Sequence, residues 1–150
     1  MRADDAPARP LFLQPAVLAL VLAGGAIGTA ARALLTDAFP VAHGDWPWAT
    51  FGVNVAGSFL LGLLVALLAV RGGRSDAWRF ARPALGAGVL GGFTTYSTFA
   101  VEVDRLLGGG SVGLGLAYAG VSVVGGVLAA ALGVLAGGGV PAQRSGEAGR

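Results

Sequence analysis

The sequence contains no cysteine and no lysine, and only 12% of its 150 residues are charged. The absence of cysteine excludes disulfide bonds and thiolate metal ligands. Because a soluble domain covers itself with charged side chains, this scarcity of charge excludes an ordinary water-soluble surface. Histidine occurs once, at His43, so neither a histidine-rich metal site nor a Ser/His/Asp triad can be assembled. We therefore predict that the chain is not an enzyme.

The sequence is instead rich in long apolar segments, with 55% hydrophobic residues and 27 glycines. A helix needs roughly 20 apolar residues to cross about 30 Å of hydrocarbon, and backbone in lipid must close its own hydrogen bonds. Four segments are long enough, namely residues 11–35, 51–70, 83–103 and 112–136. We predict an all-α membrane protein with one four-helix transmembrane domain over residues 11–136. The flanking residues 1–10 and 137–150 are rich in Pro, Gly and charge and are predicted to be disordered tails.

All ten basic residues are arginine, and they are unevenly distributed. Two precede the first span, four lie between the second and third spans, and two follow the fourth. The other two connections contain only Arg105, unless Arg32 near the end of the first span is counted. Since positively charged loops stay in the cytoplasm, both termini are predicted to be cytoplasmic. This topological role also accounts for the basic loop RGGRSDAWRFAR, so we expect no nucleic-acid partner.

Polar side chains are rare within the predicted spans, and each is a candidate functional residue because burial in lipid costs free energy. Asn54 and Ser58 share one face of the second span. The Asn54 amide either joins neighbouring helices or offers N–H donors to an anion. Arg32 lies about one turn from the end of the first span. It either extends its charge to the membrane surface or keeps an aqueous vestibule positive.

The third span contains the stretch GVLGGFTTYSTFA, from Gly88 to Ala100, in which two adjacent glycines precede a run of hydroxyl residues. Each glycine disfavours a helix by roughly 1 kcal/mol, so we predict that the helix breaks at this Gly-Gly pair. Carbonyls freed at membrane depth line a cavity or bind a cation. Tyr96 and Phe99 share one face, and Thr95 and Thr98 the next. The alternative for these hydroxyls is a hydrogen bond back to the carbonyl four residues earlier.

The fourth span carries Tyr118 and Ser122, four residues apart. Tyr118 is predicted either to anchor the helix at the membrane surface or to bond a neighbouring helix. We place Glu102 and Asp104 at a helix end, which leaves no carboxylate well inside a span. This disfavours a proton-coupled exporter of cationic drugs, which needs a buried carboxylate. A path lined by neutral donors and aromatic edges suits a small anion better than a cation.

Three stretches resemble the signature blocks of the fluoride channels called Fluc or CrcB. They are GGAIGTAARALL from Gly24, TFGVNVAGSFLLGLL from Thr50 and GVLGGFTTYSTFAVE from Gly88, and the similar region ends near Gly133. The third block is highly specific, whereas the first is weak alone. The resemblance implies a fluoride-specific channel that lets cytoplasmic fluoride leave the cell across a bacterial inner membrane. It also implies an antiparallel dimer, surrounded by lipid, with two pores along the subunit interface.

The resemblance further implies which residues act. Asn54 reaches toward the pore, and the ring edges of Tyr96 and Phe99 line it, with Tyr96 standing where the family has phenylalanine. The implied hydroxyl track consists of Thr95, Ser97, Thr98, Tyr118 and Ser122. A structural sodium ion at the dimer centre is implied to bind main-chain carbonyls at Gly91 and Thr94.

Family members that form homodimers insert in both orientations, which requires little arginine bias, and this chain has a marked one. We hypothesise that it inserts with its termini in the cytoplasm and needs a related partner chain of opposite orientation. Two alternatives to a fluoride channel remain at this point. One is a small multidrug-type cation exporter, and the other is a non-conducting partner subunit of a heterodimeric fluoride channel.

Overall fold

The computed structural model describes residues 10–42, 44–71 and 76–138. Six α-helices lie in these ranges, and they are α1 (Pro15–Ala38), α2 (Trp48–Arg71), α3 (Asp76–Ala81), α4 (Gly91–Phe93), α5 (Tyr96–Gly108) and α6 (Val112–Ala136). A 3-10 turn, Leu11–Leu13, precedes α1, and a π-helical segment, Arg82–Leu90, joins α3 to α4. The described residues contain no strand, which confirms the predicted all-α class. The predicted tails lie outside the described residues except for Pro10, Gly137 and Gly138.

Three of these helices are long and apolar enough to cross a membrane, namely α1, residues Trp48–Val70 of α2, and α6. Proline occupies the first position of α1, where its missing N–H costs no helical hydrogen bond. Only 11% to 22% of the residues in the most apolar window of each helix are buried within the chain. Their remaining apolar surface faces outward, as contact with lipid requires. The chain is therefore a membrane protein.

The predicted third span is interrupted, but not at its Gly-Gly pair. Gly91 and Gly92 are helical, and α4 ends at Phe93. Thr94 and Thr95 then adopt extended backbone, with ψ of 157° and 124°, before α5 begins. Gly92 has a packing reason to be glycine, because a Cβ there would overlap the carbonyl oxygen of Gly25. The prediction placed the interruption too early because both glycines remain helical and Gly92 serves close helix contact rather than unwinding.

Helix pairing alternates along the chain. α1 packs along the π-helical segment and α4, whereas α2 packs along α6, and α5 also contacts α6. Glycines make both pairs close, as small residues do between membrane helices. A Cβ on Gly28 would overlap the Val89 carbonyl oxygen, and one on Gly133 would overlap that of Phe59. These close contacts hold the interrupted third segment between α1 and the α2–α6 pair.

We expect Gly28→Ala to destabilise the chain by about 1–3 kcal/mol, because the added methyl group forces α1 away from the π-helical segment. Gly120→Ala is the matched control in α6, since a Cβ there meets nothing within 4 Å in the described chain. Thermal unfolding in detergent measures both variants. Equal melting temperatures for the two would show that the α1 contact is looser than the structure indicates.

Candidate functional site

A cavity of about 390 Å³ lies where α2, α6 and the junction between α4 and α5 meet. Its lining includes seven of the residues singled out in the sequence, namely Asn54, Gly91, Thr94, Thr95, Tyr96, Phe99 and Ser122. Ser58, which shares the Asn54 face of α2, lines it too. The cavity gathers amide, hydroxyl and aromatic groups from segments that are far apart in the sequence.

Asn54 fixes the C-terminal side of the interruption. Its Oδ1 accepts the Thr95 N–H at 2.8 Å, and its Nδ2 donates to the Thr95 carbonyl at 2.9 Å. Both backbone groups of Thr95 are thereby satisfied by one side chain, as extended backbone at membrane depth requires. One of the two N–H donors predicted for an anion is therefore used to hold the backbone.

The hydroxyl residues after the interruption form a cluster at the N-terminus of α5. Thr95 caps this helix, because its Oγ1 accepts the Thr98 N–H at 3.2 Å. The same Oγ1 donates to Thr98 Oγ1 at 3.0 Å and lies 3.3 Å from Ser97 Oγ. Thr95 lines the cavity, so the positive end of the α5 dipole lies beside it. The structure thus places Ser97 and Thr98 next to the cavity wall rather than on it.

Arg32 and Thr29 of α1 bind the N-terminal side of the interruption. Arg32 Nε donates to the Gly92 carbonyl at 3.2 Å, and Thr29 Oγ1 donates to the same oxygen at 3.4 Å. The Arg32 backbone carbonyl in turn accepts the Thr36 hydroxyl at 2.9 Å. Arg32 does not line the cavity within the described chain. Its side chain contacts the backbone of α4, and its vestibule role stays a prediction.

Gly91 and Thr94, whose carbonyls the sequence suggested for sodium, both line the cavity. In a continuous helix their carbonyls would accept the N–H groups of Thr95 and Thr98, four residues later. Those two N–H groups donate instead to Asn54 Oδ1 and to Thr95 Oγ1. The side chain of Thr94 donates back to the Leu90 carbonyl at 2.9 Å, the alternative considered for these hydroxyls. The two main-chain oxygens are thus released from helical pairing, which is the chemistry that a hard cation requires.

Three aromatic rings continue from the cavity into the protein. The Tyr96 and Phe99 rings lie 6.2 Å apart, and the Phe99 and Tyr118 rings lie 5.3 Å apart. Tyr96 is 81% exposed in the single chain, whereas Tyr118 is completely buried. The predicted pore aromatics are therefore neighbours, with Phe99 between an exposed ring and a buried one.

Glu102 terminates this aromatic row and was missed as a site residue. Its carboxylate accepts the Tyr118 hydroxyl at 2.7 Å and the Thr50 hydroxyl at 2.7 Å. Thr50 is only 2% exposed. The sequence placed Glu102 at a helix end, but α5 continues to Gly108, so the carboxylate is well within the helix. The available signal was its spacing, because Glu102 follows Phe99 by three residues and shares its helix face.

The buried Ser122 hydroxyl makes no well-formed hydrogen bond in the described chain, although it lies near the Tyr118 hydroxyl one turn earlier on α6. Its Oγ belongs to a residue that lines the cavity, one helical turn after Tyr118. An unpaired buried hydroxyl costs free energy unless a partner from elsewhere satisfies it. Within the described chain the Ser122 hydroxyl is therefore not held by a well-formed hydrogen bond.

Comparisons with known proteins cover nearly the whole chain. The family model described as CrcB-like protein, Camphor Resistance (CrcB), matches residues 19–134. The protein named fluoride-specific ion channel FluC 2 of Nocardia farcinica is 42% identical over 149 residues, covering 97% of this chain and 99% of that protein. FluC 2 of Leifsonia xyli subsp. xyli is 43% identical over 135 residues, covering 90% and 92% respectively. The matched region contains every residue that lines the cavity.

Proposed function

We propose that this chain, which belongs to the CrcB family, forms a fluoride-specific ion channel through which cytoplasmic fluoride leaves the cell. Relatives that align over almost their full length carry that name. The observation that carries the proposal is the cavity, whose lining brings together Ser122 of α6, Thr95 at the N-terminus of α5, and the Tyr96 and Phe99 rings. These groups are neutral, and none of the described lining residues is charged.

A fluoride ion gives up strongly bound water when it enters a narrow path, so the protein must supply replacement donors. The Ser122 hydroxyl is an O–H donor, and the positive end of the α5 dipole favours negative charge. The ring edges of Tyr96 and Phe99 carry partial positive charge and also suit an anion. Ser97 and Thr98 lie next to these groups and extend the polar path, whereas the Tyr118 O–H is donated to Glu102. Rotatable hydroxyls let the ion pass from one donor to the next without a deep energy minimum.

The cavity is open on the side where Tyr96 is 81% exposed, so a single chain does not enclose a path. We propose that a second chain of opposite orientation covers this side and completes two pores. Residues 82–108 then form an interrupted fourth membrane crossing. The uneven arginine distribution favours an orientation in a bacterial inner membrane with both termini of this chain in the cytoplasm. A related chain with the opposite arginine bias is the partner that this orientation favours.

The released carbonyls of Gly91 and Thr94 fit a structural sodium ion at the centre of such a dimer. Two chains would contribute four main-chain oxygens of the kind that hard cations bind. A cation held there neutralises the carbonyl dipoles and joins the two interruptions. Gly91 and Thr94 would supply these carbonyl oxygens. Asn54 and the Thr95 side chain bind the N–H groups of Thr95 and Thr98, which would otherwise pair with them.

Fluoride efflux from liposomes that contain the purified chain tests the function. We expect fast fluoride release, read with a fluoride electrode, and no chloride release in the parallel assay. Efflux from the chain alone would contradict the requirement for a partner while supporting the channel. If the chain alone is silent, addition of a related chain with opposite arginine bias is expected to start fluoride release. Silence in both assays would contradict the proposed function.

Ser122→Ala is expected to lower fluoride efflux without lowering stability. The hydroxyl makes no well-formed hydrogen bond in the described chain, so its removal costs little stability. The efflux rate should fall about tenfold if one O–H donor to the ion is lost. Measurements are the efflux rate and the melting temperature in detergent. A parallel fall in both would show that Ser122 is structural rather than a donor to fluoride.

A further inference from the structure

We propose that Arg32 is a positioning residue that holds the Gly92 carbonyl, and thereby the interruption, through a directional hydrogen bond. Its positive charge is not what the channel needs. The inference rests on the proposed function for its flux readout. It replaces the vestibule role that the sequence suggested, and it assigns Arg32 an effect exerted through the backbone of α4.

The interruption leaves a specific oxygen to be satisfied. Because α4 ends at Phe93, the Gly92 carbonyl belongs to the last turn and has no donor in a continuing helix. Such an oxygen at membrane depth needs a partner from another segment. Arg32 Nε supplies it at 3.2 Å, and Thr29 supplies a weaker contact at 3.4 Å. Both donors come from α1, one helical turn apart, so a single helix face binds this oxygen.

The interruption is therefore held from both sides. Arg32 binds the last turn of α4, and Asn54 binds both backbone groups of Thr95. Between these two anchors lie Phe93 and Thr94, whose backbone direction sets where the Thr94 carbonyl points. If the α1 anchor is lost, the Gly92 oxygen must seek another donor, and the nearby N–H groups of the interruption are the closest candidates. The extended backbone would then close toward a helix.

Close packing of Gly92 against α1 fixes the position of the carbonyl that Arg32 binds. Gly92 has no side chain, and a Cβ there would overlap the Gly25 carbonyl oxygen and lie 3.0 Å from Thr29 Oγ1. The Gly92 backbone is therefore in close contact with α1, near Arg32. A directional donor at this distance fixes position, whereas a diffuse charge would act equally well from several places.

Two substitutions separate the donor from the charge. In Arg32→Gln the amide nitrogen is as many bonds from Cα as the arginine Nε, so a neutral N–H donor is retained near the Gly92 oxygen. In Arg32→Met the terminal methyl group takes that place, and both donor and charge are lost. We expect Arg32→Gln to keep an efflux rate close to that of the unmodified chain and Arg32→Met to lose about tenfold.

A charge that attracts fluoride would give a different result. Both variants would then lose efflux equally, and the loss would deepen at low ionic strength, where screening is weak. Equal loss overturns the proposal, and so does full activity in both variants. Should Arg32→Met fail to fold, Arg32→Gln alone decides, because retained efflux supports a donor role and lost efflux contradicts it.

Hydrogen exchange provides a readout that does not depend on fluoride. Peptides that cover residues 88–100 should exchange faster in Arg32→Met than in the unmodified chain, with Arg32→Gln close to the latter. Equal protection in all three proteins would contradict the anchor. If the unmodified chain releases no fluoride either alone or with the related partner chain, the proposed function fails, and the exchange result still judges the role of Arg32.

Discussion

Replacement of Asn54 by leucine is expected to lower fluoride efflux by at least about tenfold and to destabilise the chain by roughly 2–4 kcal/mol. The substitution leaves both the N–H and the carbonyl of Thr95 without their present partners. Extended backbone at membrane depth is then destabilised by the full desolvation free energy of these unpaired polar groups. The chain is expected to respond by rewinding toward a helix, which withdraws the Gly91 and Thr94 carbonyls from the cavity. Efflux in liposomes and melting temperature in detergent are the measurements.

Asn54→Asp refines this prediction, because it retains the acceptor for the Thr95 N–H but removes the donor to the carbonyl. It also adds negative charge beside an anion path, so efflux should fall even where the fold survives. Ser58→Ala is the matched control, since Ser58 lies one turn later and lines the same cavity. If Ser58→Ala and Asn54→Leu reduced efflux by the same factor, the loss would reflect the cavity surface rather than the hold on Thr95.

The second large effect is expected from Glu102→Ala. Its carboxylate accepts hydrogen bonds from Thr50 and Tyr118, both almost completely buried. Removal of the acceptor leaves two buried hydroxyls unpaired, which costs about 1–3 kcal/mol for each. The Tyr118 ring contacts Phe99, so its displacement also disturbs the ring beside the cavity. We expect a melting temperature several degrees lower and a strongly reduced fluoride efflux.

Asp104→Ala is the control for this experiment, because Asp104 is on the same helix with an exposed side chain. It should leave both measurements nearly unchanged. Tyr118→Phe separates the contributions of the two hydrogen bonds, since it removes one of them while Thr50 continues to bind the Glu102 carboxylate. A Glu102→Ala variant as stable as Asp104→Ala would show that the two hydroxyls find other partners, and that this cluster contributes little.

The all-helical class could be predicted because long apolar segments without alternation leave only one way to satisfy the backbone in lipid. The grouping of Asn54, Tyr96, Phe99 and Ser122 around one cavity was not accessible from periodicity. It depends on which helices pair, and the sequence marks apolar faces without naming their partners. Only the resemblance to a known family indicated that these residues belong to one path.

Two local features show where such reasoning fails. Glycine propensity pointed to Gly91 and Gly92 as the interruption, but both glycines remain helical, Gly92 packs against α1, and the helix opens at Thr94 and Thr95 instead. Propensity describes an isolated helix, whereas here the Asn54 side chain decides which backbone is released. Glu102 was set aside because charge at a span end normally faces water. Its two hydroxyl partners come from α2 and α6, and no local pattern reveals them.

The alternating helix pairing has a consequence for how the protein is made. α1 packs along the π-helical segment and α4, and α2 packs along α6, while α1 and α2 contact each other at few positions. During synthesis the first two helices therefore enter the membrane without the neighbours they finally bind. α1 must wait for residues about 60 positions later, and α2 must wait until almost the last described residue has been made. Ribosomes add about 5–20 residues per second, so both helices spend seconds unpaired in lipid. The chain is thus nearly complete before its helices have packed, and it is exposed to the quality-control machinery of the cell in that unpacked state.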